Sequence, residues 1–296
     1  MPPTWSEWVT RCRDALLRVR LMGRAADAQK CVPTILLCSL IALFVLALNP
    51  SLSAQDAPLT MRGDGTMRRM RVPILMYHYI SVPLAGSDQY RVNLSVEPDM
   101  FRQHLQYLKD NGYTTISLYD LDNALMYGTP LPEKPIVLTF DDGYLDQYTN
   151  AFPLLKEFGM TGTFFIITDR ADYPSAEYMT WDQINELAAA GMSVESHTKT
   201  HTELRGRTYD FLVYEILGSL ESVRAHTDSR TQMFCYPVGR YDDDALAVLA
   251  ATDVLRAVTT EFGATHTSDN RLEVPRVRMS HDTGVAALES LLRTAP

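Results

Sequence analysis

"PIVLTFDDGYLD", residues 135–146, is the stretch on which the fold turns. Its apolar core, Ile136-Val137-Leu138-Thr139-Phe140, reads as a buried strand, and it stops abruptly at Asp141-Asp142-Gly143. Asp-Asp-Gly is ordinary turn chemistry. Two adjacent carboxylates at the end of a buried strand nevertheless repel each other and resist desolvation. A plain turn therefore competes with a site in which one carboxylate holds a metal and the other takes a proton.

Outward from this stretch, short apolar runs alternate with amphipathic ones. Strands are expected at Pro73–Met76, Thr115–Leu118, Ile136–Phe140, Thr163–Thr168, Met192–Glu195, Met233–Tyr236, Arg256–Thr259 and Val274–Met279. Between them "PDMFRQHLQYLKDNG" (98–112) repeats Phe101, Leu105 and Leu108 at helical spacing and ends on Gly112, and "WDQINELAAAG" (181–191) ends likewise on Gly191. This alternation predicts an α/β fold, a parallel sheet covered by helices and closed or nearly closed into a (β/α) barrel. Catalytic groups in such a fold collect where strands end and loops begin, which is where Asp141 and Asp142 stand.

The chain has 296 residues, 46% hydrophobic and 21% charged, a globular composition. Residues 55–296 hold 21 Lys/Arg against 33 Asp/Glu, a net −12, which argues against nucleic acid as a partner and allows a neutral or cationic ligand. Cys12, Cys31 and Cys38 precede the globular part, which keeps only Cys235, so no disulfide forms within it. "VPTILLCSLIALFVLAL" (32–48) carries no charge, follows Arg11, Arg13, Arg18, Arg20, Arg24 and Lys30, and leads into Ser51-Leu52-Ser53-Ala54. It reads as an export signal, with an uncleaved anchor favoured over a cleaved leader because of the long region before it. The expected organisation is a cytoplasmic segment 1–31, an anchor or signal core 32–49, a linker 50–71 and an outward-facing catalytic domain 72–296.

"MSVESHTKTH" (192–201) repeats the opening pattern, a short strand giving way to His197 and, four residues later, His201. In a helix this spacing puts both imidazoles on one face. Joined to an Asp at the end of a neighbouring strand, they make a three-ligand site with open positions, the mark of a catalytic metal. Exposed histidines on a helix face would give the same string.

"TFDDG" (139–143), "SHTKTH" (196–201) and "FCYPVGRY" (234–241) resemble the first three motifs of the polysaccharide deacetylases, carbohydrate esterase family 4, over about Pro73 to Leu292. The resemblance implies a distorted (β/α) barrel in which Asp141 is the general base and Asp142, His197 and His201 hold one divalent ion, usually zinc, with Co2+, Ni2+ or Fe2+ as alternatives. It implies a backbone donor for the oxyanion at Val238. Two histidines compete as the general acid. His281 in "RMSHDTG" resembles the family's usual late motif, whereas His78 in "PILMYHYI" resembles the permuted branch of poly-N-acetylglucosamine deacetylases and is preferred. Family members often carry Arg two positions before the proline that is Pro237 here, where it orients the base. This chain has Cys235, so Arg276, with Arg278 close behind, is expected to stand in. Tyr144 and Tyr241 are expected to offer flat surfaces to a sugar ring.

The expected activity is metal-dependent removal of acetyl groups from amino sugars of an extracytoplasmic, N-acetylated glycan polymer: poly-N-acetylglucosamine, a chitin-like chain or peptidoglycan. A non-catalytic glycan-binding module and an O-acetyl esterase remain alternatives. The expected partners are that glycan and, through the N-terminal segment, the membrane, with no nucleic acid. The long loop "SVPLAGSDQYRVNLSVEP" (81–98) directly after His78 is expected to be functional.

Overall fold

The computed structural model describes residues 63–296. In chain order its strands are β1 (Arg69–Arg71), β2 (Ile74–Tyr77), β3 (Thr114–Thr115), β4 (Pro135–Phe140), β5 (Thr163–Ile166), β6 (Ser193–Ser196), β7 (Met233–Cys235), β8 (Arg256–Phe262), β9 (Thr265–Thr267) and β10 (Val274–Arg278). The parallel order β2-β10-β8-β7-β6-β5-β4 closes into a barrel because β4 pairs back onto β2. Strand β3 adds to β4, and β1 and β9 form a separate antiparallel ribbon.

Alternation along the strands sorts the side chains. Ile74, Val137, Phe165, Met233, Cys235, Val258 and Val274 pack with one another on the inner face. Leu75, Tyr77, Leu138, Phe140 and Phe164 turn outward, against Phe101, Leu105 and Leu108. Asp141 continues the inner series of β4, two residues beyond Thr139.

The helices are α1 (Gln89–Asn93), α2 (Pro98–Asp110), α3 (Leu118–Tyr127), α4 (Phe152–Phe158), α5 (Thr168–Asp172), α6 (Trp181–Ala189), α7 (Tyr209–His226), α8 (Asp243–Ala250) and α9 (Val285–Thr294). Thr180 and Gln183 form a reciprocal cap at the start of α6. The strand expected to reach Leu118 is shorter than its apolar run. Ser117 caps α3 by accepting from Asp120 N, while Asp120 Oδ2 accepts from Ser117 N, so the helix takes Leu118.

The expected linker also ends earlier than residue 71. Arg69–Arg71 pairs with β9, Arg68 meets Asp64 at 2.6 Å, and Arg71 Nη2 donates to Leu292 O at 2.6 Å. Segment 1–31, the apolar run 32–49 and the linker up to residue 62 lie outside the described residues. Among the described residues no helix is long and apolar enough to cross a membrane. The loop 81–98 contains α1 and returns to the body through a bridge between Tyr79 and Ser95.

Candidate active site

Register sets the first pair. Tyr77 lies beside Phe140 in the ladder, so the next residues, His78 and Asp141, emerge side by side with His78 Nε2 3.9 Å from Asp141 Oδ2. Arg276 of β10 binds Asp141 with both terminal nitrogens, each at 2.7 Å, and its remaining donors go to Thr139 Oγ1 and Thr259 O. Burial opposes ionisation of Asp141, but the guanidinium outweighs it and holds the carboxyl below its ordinary value. The same carboxylate keeps Arg276 firmly protonated despite burial. Arg276 Nη2 also lies 3.2 Å from Cys235 Sγ, so it occupies the neighbourhood where an arginine at 235 would have stood.

Asp142 faces two imidazoles, His197 Nε2 and His201 Nε2, each 3.2 Å from its Oδ1. His197 Nδ1 donates to Cys235 O at 2.8 Å, which leaves the Nε2 lone pair pointing at Asp142. The ligating atoms of Asp142, His197 and His201 lie within 4.8 Å of one another, and Asp142 Oδ1 is buried with no hydrogen-bond donor among the described residues. A buried carboxylate oxygen without a donor and two imidazole nitrogens beside it fit the three protein ligands of a single divalent cation. Asp141, His197 and Cys235 also cluster. Arg276 already neutralises Asp141 there, which disfavours a cation in that group.

The two histidines do not share a helix face. Residues 197–201 form a bent loop in which Thr198 and His201 both have φ 65°. Glu215, fully buried in α7, holds this loop by accepting from Lys199 N, Thr200 N and Thr200 Oγ1. The sequence reading missed Glu215. The available signal was an acid on the buried stripe of a helix, between Leu212 and Ser219. Left-handed backbone at non-glycine residues gathers here: Asp142 (φ 78°), Thr198, His201 and Val238 (φ 50°), with Thr231 the one other case among the described residues. Such strain persists where the surroundings enforce it and concentrates at functional sites. In the Val238 turn, Gly239 is required, because at φ 68° an added Cβ would sit 2.0 Å from Thr260 Oγ1.

The other expected residues divide. His78 is buried beside Asp141, whereas His281 is exposed on the loop after β10, its backbone N bonded to Asn93 O. Arg278 is also exposed. Tyr144 is not an open platform: Tyr79 covers one side at 3.8 Å between centroids and Tyr178 stacks at 5.0 Å. Arg91 caps Tyr79 and Arg170 caps Tyr178. Tyr241 stacks on Tyr236 and donates to Glu273, so its ring is taken up in packing.

The family model described as polysaccharide deacetylase matches residues 128–256. The Bacillus subtilis (strain 168) protein YxkH, named for that family, is 35% identical over 215 residues, 73% of this chain and 74% of its own length. The chain belongs to the polysaccharide deacetylase family. Membership makes it a hydrolase of that class. The solved structure of the deacetylase PplD from Streptococcus pyogenes, in complex with acetate, superposes with a TM-score of 0.71 at 32% identity, covering 76% of this chain and 99% of the other. A poly-beta-1,6-N-acetyl-D-glucosamine N-deacetylase of Staphylococcus epidermidis is 24% identical over 237 residues, 76% of this chain and 80% of its own.

Proposed function

We propose that the protein removes N-acetyl groups from amino sugars of a glycan polymer by metal-assisted amide hydrolysis. The observation that carries this reading is the division of labour between adjacent acids: Asp141 is tied to Arg276, while Asp142 faces His197 and His201. A pure binding module has no use for a buried, arginine-held carboxylate beside a three-ligand cluster.

A divalent ion held by Asp142, His197 and His201 would supply Lewis acidity to the acetamide oxygen and make water a better nucleophile. Asp141, ionised and fixed by Arg276, takes the proton of the attacking water. As the water oxygen bonds to the carbonyl carbon, the Val238 N–H, on a strained and exposed turn, stabilises the charge developing on oxygen. His78 gives a proton to the departing nitrogen as the C–N bond breaks, leaving acetate and a free amine. His78 Nδ1 is buried without a partner among the described residues, and Nε2 lies beside Asp141, so the proton that Asp141 takes from water passes to this ring and from the imidazolium to the amine. Burial favours the neutral form of His78 while Asp141 and Asp142 oppose that trend, so the ring acts as acid once it has taken up a proton and become imidazolium.

A cavity of about 540 Å3 adjoins the tyrosine column, lined among others by Tyr79, Tyr144, Leu84, Arg91 and Asp146. Its mixed donors and acceptors suit the hydroxyls of a neighbouring sugar, which supports a polymer over a free monosaccharide. Outward placement of the domain rests on the apolar run 32–48 alone. The decisive experiment is acetate release from N-acetylglucosamine oligomers with and without a chelator. No release in the presence of added Zn2+, Co2+ or Ni2+ would overturn the reading.

A further inference from the structure

Directly after the Asp-Asp-Gly turn the chain enters a π-helical turn, Gln147–Ala151, a geometry often found at functional sites. Side chains from this stretch grip the residues that follow β2. Gln147 Nε2 donates to His78 O at 2.7 Å and to Asp141 O at 2.5 Å. Asn150 Nδ2 donates to Ile80 O at 2.8 Å, and Asp146 accepts from Ser81 Oγ. One fully buried amide thus spends both its protons on the carbonyls of the two residues read as acid and base.

The cost identifies what Gln147 is for. Its Oε1 is buried with no donor among the described residues. An unpaired buried acceptor is destabilising, a cost that an apolar side chain of the same length would avoid. The two carbonyl bonds are what a glutamine provides there and a methionine does not.

The two carbonyls do not depend on it equally. Asp141 is also fixed through its carboxylate, by Arg276. Among the described residues the His78 imidazole has no such tether: Nδ1 has no hydrogen-bond partner and Nε2 lies 3.9 Å from Asp141, beyond hydrogen-bond distance. Its placement comes from its backbone, and Gln147 holds that backbone against Asp141.

We propose that Gln147 is the positioning residue that sets His78 relative to Asp141. This rests on the reading of these two residues as acid and base. Gln147 acts through His78, so its loss should weaken the step that needs the acid, departure of a poor leaving group, and spare substrate binding.

The test compares two substrates, N-acetylglucosamine oligomers and an activated aryl acetate whose leaving group needs little protonation, with the full chain and its metal content measured. Gln147→Met keeps the length and removes both donors. Its kcat on the oligomer should fall roughly 10–100-fold with KM within about twofold, while the aryl acetate rate falls no more than about threefold. Metal content should match the unaltered protein, and Asn150→Ala, which frees Ile80 O alone, should not show the split. Equal losses on both substrates, a raised KM with kcat preserved, or lost metal would each overturn the proposal. Should Gln147→Met not fold, Gln147→Asn, one methylene short, carries the same comparison. Inactivity of the unaltered protein on both substrates would instead remove the functional reading and the proposal with it.

Discussion

Arg276 holds both oxygens of Asp141 at 2.7 Å, and both side chains are buried. The pair has no solvent to fall back on. Arg276→Met would leave a carboxylate buried without its counter-charge, which is destabilising by about 3–5 kcal/mol or forces the acid to protonate. Urea unfolding at pH 7 should show that loss, and acetate release should fall with it because a protonated Asp141 cannot act as base. Unchanged stability and activity would mean that the pair is dispensable.

Much of this arrangement follows from local rules. The barrel is implied by apolar runs of strand length alternating with helical ones, and Arg276 by the family resemblance, in which Cys235 leaves a cation to be replaced. What sequence spacing could not supply is backbone shape. His197 and His201 meet through a bent loop with left-handed residues rather than a helical turn, and Glu215 reaches that loop from a helix 14 positions beyond His201. The stacking of Tyr144 between Tyr79 and Tyr178 was not legible either, because a tyrosine's neighbours depend on separate loops folding together. The ribbon of β1 and β9 was missed because its strands are short and polar and pair across nearly the whole domain.

Metal analysis separates the adjacent acids. His197→Ala and Asp142→Asn each remove one converging ligand and should lower both bound metal and activity. Asp141→Asn should abolish turnover with metal content intact. Equal metal loss in all three variants would show that the acids are not divided in this way.

His78 and His281 give opposite expectations. His78→Ala should lower kcat on acetylated oligomers by roughly 10²–10⁴-fold and be partly rescued by an activated aryl acetate. His281→Ala, exposed on its loop, should cost little. A crippled and rescuable His281→Ala beside a nearly normal His78→Ala would reverse the assignment.

Away from the site, His266 on β9 gives the protein a pH dependence of its own. The ring is buried, Nε2 donates to Val72 O at 2.8 Å, and Nδ1 has no partner among the described residues. Burial, reinforced by Arg256 and opposed by the Val72 carbonyl, brings its pKa down from 6.5 to about 4. Between these values the unfolded chain binds a proton that the folded one refuses, so stability falls as pH drops from 6.5 toward 4 and is flat above. The shift corresponds to about 3 kcal/mol at its full extent. His266→Gln preserves a donor for Val72 O and cannot titrate. The difference in unfolding free energy between pH 7 and pH 4.5 should therefore be smaller in the variant than in the unaltered protein by about 2–3 kcal/mol. Identical acid slopes for the two proteins would show that His266 accepts its proton in the folded state as easily as in the unfolded one.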